Sequence, residues 1–85
     1  DASYSKSLFH IERYQLAVAS RSHALIHQYD KALKDITDQA ERQKIREEAN
    51  QAVADMVKEE TASVMDKVLF ELSCQMKNAF SRSDA

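Results

Sequence analysis

The sequence predicts an all-α protein, an antiparallel hairpin of two long helices, and three observations carry that prediction. Its 85 residues include no glycine and no proline, where average usage would supply about ten of the two together. Apolar residues recur three and four apart over most of the chain, with one clear polar break near residue 37. The composition is 44% hydrophobic and 31% charged, with three Phe, three Tyr and no Trp; it suits helices with one apolar stripe each rather than a thick core. Without glycine the chain lacks the residue that enters positive-φ corners most readily, and without proline it lacks the strongest helix breaker. Hairpin turns between strands and phosphate-cradling loops are therefore not expected.

The first helix is expected over about residues 5–36, roughly 48 Å at 1.5 Å per residue. Its inward stripe is read as Leu8, Ile11, Val18, Leu25, Tyr29, Ala32 and Ile36, with Gln15 and Ser22 as polar interruptions. Ala19, Ile26, Leu33 and Ala40 widen that stripe on one side, as in a bundle helix. The ends read as frayed. Asp1, Ser3 and Ser5 are candidate caps for the first turn, and residues 81–85 carry no apolar partner.

The corner is placed at Asp35-Ile36-Thr37-Asp38, because Asp38 followed by Glu41 forms a capping-box-like pair. No glycine is present to close helix 1 in the usual left-handed cap. The second helix is expected over about residues 38–80. Its first part, through Glu48, is very polar, so thin packing is expected there; Ala52, Val53, Met56 and Val57 resume the stripe. Val64, Met65, Val68, Leu69, Leu72, Met76, Ala79 and Phe80 continue it. Glu60 falls on the line of the stripe, and Ser63 with Asp66 offers a weak cap. One long helix is preferred, and a second helix broken near 60–63 is the alternative.

At 9.7 kDa the chain reads as a single helical domain over residues 1–85, in a size range where a lone core is marginal. Two helices bury one face each, so a further layer is expected from a second copy or another protein. The expected assembly is a homodimer that forms a four-helix bundle. Leu8, Phe9, Ile11, Tyr14 and Leu16 wrap most of the circumference of helix 1, and this patch is the predicted interface. Phe9 and Leu16, seven apart, lie on a different face from Leu8 and Ile11. With the Leu8 face inside the hairpin, Phe9 and Leu16 would await a partner.

Chemistry-bearing patterns are few. Ser20, His23, His27 and Asp30 are spaced 3, 4 and 3 and form a line along helix 1. Histidines at i and i+4 with an aspartate one turn on could share a metal, but a closed site needs four ligands, and a solvated polar face is the preferred reading. A pH switch at a subunit contact is a further reading of the His23/His27 pair, with His10 an equal candidate. A Ser–His–Asp triad lacks an oxyanion hole and a strained turn in a helix interior. The lone Cys74 excludes an internal disulfide, and no cofactor motif is present. The formal charge of −2 and the scattered Arg13, Arg21, Lys31 and Lys34 make a poor phosphate footprint, so nucleic acid is a weak expectation. No run approaches a membrane span, and cytoplasmic residence is the default. The function expected is a small non-enzymatic protein–protein interaction module: an adaptor, chaperone, assembly factor or inhibitor. An RNA-binding hairpin and a metal-responsive regulator using His23 and His27 are the alternatives.

Overall fold

The computed structural model describes the backbone of residues 2–83 and the side chains of residues 6–81. Two helices, α1 (Ala2–Leu33) and α2 (Gln39–Ser83), pack against each other in an all-helical hairpin. The candidate caps Asp1, Ser3 and Ser5 and the last two residues, 84 and 85, lie outside the described side chains. Residues 81–83, expected to fray, continue α2. The helix does not break at residues 60–63. Cross-hairpin contacts pair His10 with Glu71, Tyr14 with Thr61, and Arg21 with Glu59 and Glu60. As residue numbers rise along α1 they fall along α2, so the helices are antiparallel.

The corner at residues 34–38 closes without any left-handed residue: no described residue has positive φ. Side chains do the work a glycine usually does. Asp38 caps α2 as its Oδ2 accepts from the Glu41 amide at 3.1 Å, and the Arg42 amide starts the helical ladder by donating to the Asp38 carbonyl at 2.9 Å. The Arg42 guanidinium reaches back over the corner and donates to the carbonyls of Leu33 at 2.9 Å and Ile36 at 2.7 Å. Helix C-termini leave carbonyls without intrahelical partners, and this one cation satisfies two acceptors at the end of α1. The helix stops at Leu33 rather than near Ile36, as the Lys34 and Ile36 amides donate to carbonyls three residues back, Lys31 at 3.4 Å and Leu33 at 3.2 Å, in place of the four-residue ladder.

The inward line of each helix follows an 11-residue period. In α1 and the corner the half-buried positions include Tyr14, Leu25 and Ile36, Val18 and Tyr29, and Ser22 and Leu33. In α2 they include Arg42, Val53, Val64 and Gln75, and Ala49, Glu60 and Glu71, with Ile45 and Met56 between them. Eleven residues over three turns average about 3.67 per turn, close to a straight α-helix, whereas a heptad stripe averages 3.5. The difference rotates the seam away from the expected stripe. Ser22 is half-buried rather than an interruption, and Leu8 and Ile11 are exposed while Ser7, His10, Tyr14 and Ala17 occupy the seam. Glu60 does sit on the inward line, but Arg21 meets it there, so α2 has no cause to bend. In the second half of α2, Val64 and Val68 face inward, while Met65, Leu69, Leu72, Met76 and Phe80 are exposed.

The molecule is a rod of 72 × 17 × 9 Å with a radius of gyration of 20.0 Å, against about 12 Å for a compact domain of this length. Its core among the described residues is one side chain, Met56, 3% exposed. The accessible surface is 6890 Å², where a compact chain of this mass would expose about 5,100 Å².

Candidate interaction surface

Two helices side by side leave two long flanks, and here the flanks differ in chemistry. On one flank a groove of about 200 Å³ runs between the helices, lined by His10, Arg13 and Ala17 of α1 and by Ser63, Val64 and Lys67 of α2. Tyr14 closes its floor, its hydroxyl 3.0 Å from Thr61 Oγ1. His10 Nε2 stands 3.9 Å from Glu71 Oε1. Phe9 meets the His10 ring edge-on at 5.9 Å, and the Arg13 guanidinium lies 5.6 Å from the centre of the Phe9 ring, a cation–π distance. Towards the corner, Arg21 donates to Glu60 at 2.8 Å and Glu59 at 3.3 Å. The bond to Glu60, reinforced by Glu59, raises the Arg21 pKa above its ordinary value, so the cation stays charged.

The other flank follows from helix geometry. Ile11 lies about 200° round α1 from Arg13, and Met65 and Leu69 lie about 200° round α2 from Ser63 and Lys67 respectively. The groove residues therefore place Ile11, Met65 and their neighbours on the opposite side. Exposed Leu8 and Ile11 of α1 stand there with exposed Met65, Leu69, Leu72 and Met76 of α2. The α2 stripe is spaced 4, 3, 4 and, through Phe80, 4; no charged residue falls in it. Of the eleven large hydrophobic side chains exposed among the described residues, all but Ile26 lie in residues 8–16 or 65–80. The surplus apolar surface is thus gathered at the end away from the corner. Contiguous patches of this kind mark interaction surfaces far more often than scattered apolar residues do.

The predicted interface residues divide between these environments. Leu8 and Ile11 are on the apolar flank, not inside the hairpin. Tyr14 is half-buried in the seam and bonded to Thr61. Phe9 is held by His10 and Arg13 beside the groove, and Leu16, 70% exposed, lies on the outer side of α1. The expected position of the α2 stripe inside the hairpin is not the observed one; its repeat at 65 and 76, and at 69 and 80, is the sequence signal for the 11-residue frame. Ser20, His23, His27 and Asp30 are all exposed on α1. Among the described residues no three His, Cys, Asp or Glu side chains gather at a spacing suited to a metal ion. Cys74 is a half-buried free thiol. Of the described residues, no helix is long and apolar enough to cross a membrane.

No protein-family model and no solved structure matches the chain. A stretch of 36 residues is 53% identical to part of a Bifidobacterium longum (strain NCC 2705) protein named Dipeptidase. That stretch is 42% of this chain and 7% of the Bifidobacterium protein, so the chain spans a small part of that relative's length. A match of this extent assigns neither a family nor an activity.

Proposed function

We propose that this chain is a non-enzymatic helical interaction module that works by burying its apolar flank, and that two copies do so against each other to form a four-helix bundle. One observation carries the reading: the surface exceeds that of a compact chain by about 1,800 Å², and the exposed large apolar side chains are concentrated at one end. A standard protein interface removes about 800 Å² from each partner, so the surplus is enough for one. The flank suits two-fold pairing, because its α2 stripe carries no charge that must face its own copy and Glu12, one turn from Leu8, stands at its outer edge. Leu8, Ile11, Leu72 and Met76 would supply the buried centre. Adaptors, chaperones, assembly factors and inhibitors all use a helical face in this way.

Sedimentation of the native chain at micromolar concentration tests it. A species of twice 9.7 kDa is expected, reduced to the monomer by Leu72→Asp with Met76→Asp while helicity by circular dichroism is retained. Phe9→Asp with Leu16→Asp, away from that flank, should leave the dimer in place. A monomer at every concentration overturns the bundle.

A second reading is favoured by the shared 36 residues: the chain is a helical segment of a dipeptidase-like enzyme, and its apolar flank packs on the body of that enzyme. In that case the hairpin would contribute packing and no catalytic group. Monomeric behaviour of the isolated chain, with the flank substitutions lowering the stability of the longer enzyme, is the outcome that separates this reading from the first.

A further inference from the structure

We infer that the groove on the opposite flank is a docking site for an amphipathic helix that presents carboxylates between apolar side chains. The observation that carries this is a mismatch of charge. Arg13 and Lys67 line the groove from opposite walls, and among the described residues neither is paired with a carboxylate. The acidic groups nearby are engaged elsewhere: Glu60 holds Arg21, and Glu71 faces His10. Lys6, one heptad before Arg13, shares the face of Arg13 and adds to the positive side. The cationic centre has apolar borders, with Phe9 on α1 and Phe70 on α2 exposed by 53% and 68% and Ala17 and Val64 along the floor.

A third helix lying along this groove would complete the packing that two helices leave open, with apolar side chains three and four apart against Phe9, Phe70 and the floor. Carboxylates on its border would meet Arg13 and Lys67, where charge-assisted hydrogen bonds are stronger than neutral ones. A protein helix fits better than nucleic acid, since the same groove contains Glu60 and the chain as a whole carries −2, a poor footprint for a phosphate backbone. The site is independent of the proposed dimer, because pairing through the apolar flank leaves the groove facing outward.

The test is binding of a fluorescent synthetic peptide of about 18 residues, with Leu at helical spacing and Glu between them, to the full chain. Arg13→Gln with Lys67→Gln should weaken binding about tenfold or more, equivalent to about 1.4 kcal/mol, with helicity unchanged. Raising salt should weaken the native complex and have less effect on the variant. Arg13→Glu with Lys67→Glu should bind the peptide's Lys counterpart in place of the Glu form, a reversal that loss of folding would not produce. The inference is overturned by equal binding of a Gln-for-Glu peptide, by no binding at about 1 mM, or by a single-stranded RNA oligonucleotide that binds more tightly and displaces the peptide. Each of these outcomes leaves the oligomeric state, and so the proposed dimer, to be decided by its own measurement.

Discussion

The half of the hairpin beside the corner and the half away from it are made from the same two helices, yet only the first closes on itself. The corner half contains the buried Met56, the Asp38 cap, the Arg42 bridge to two carbonyls, and the Arg21 fork to Glu59 and Glu60. Its surface is polar, and Ile26 is its one exposed large apolar side chain. The open half has a seam of half-buried groups and carries ten of the eleven exposed large apolar residues described. The contrast teaches that helix content and closure are separate properties. A 45-residue helix forms throughout, but burial sufficient to stabilise it is supplied within the chain at one end only.

The largest effect that would break this contrast is expected at Met56. Met56→Ala should cost about 2–4 kcal/mol, the range for truncating a buried side chain, read as a loss in urea or thermal unfolding. The counterpart in the open half is Leu69→Ala. With that side chain already 55% exposed, the cost in the monomer should stay below about 1 kcal/mol. Equal losses at the two sites would abolish the distinction between the halves.

Arg42→Ala comes next. It removes two charge-assisted hydrogen bonds from a part-buried corner, and a loss of about 1.5–3 kcal/mol is expected. Faster amide exchange should accompany it around residues 33–36, with little change in the open half. Asp38→Ala should be smaller, about 1 kcal/mol for a lost N-cap, and Asp38→Ser should restore most of it. If Arg42→Ala leaves stability and exchange unchanged, the corner is held by packing of Ile36 rather than by its carbonyl acceptors.

Much of the fold is legible in the sequence. Two helices, their antiparallel order, the polar corner and the Asp38–Glu41 cap all follow from local signals: spacing, missing breakers and a cap at a fixed offset. The role of Arg42 was not legible. Its sequence neighbours, Glu41, Gln43 and Lys44, are likewise polar or charged, and only the turn of the chain brings the Leu33 and Ile36 carbonyls within its reach. The site was legible in part. Phe9 and Leu16 are exposed apolar residues as expected, but Leu8 and Ile11, which the spacing puts inside the hairpin, are exposed on the other flank together with the α2 stripe from Met65 to Phe80. A shift from a 3.5-residue to a 3.67-residue average is small per turn and accumulates along a rod of this length.

The missing glycine and proline, together with apolar residues three and four apart, determined that this protein would be helical nearly throughout, because spacing sets the helical period and no breaker opposes it. Which side of each helix faces in, and therefore which apolar residues are left over, was decided by the tertiary structure alone. Helix propensity says nothing about which face Leu72 or Val68 takes. What separates them is the position of α1, and the seam between the helices exists only after both have formed.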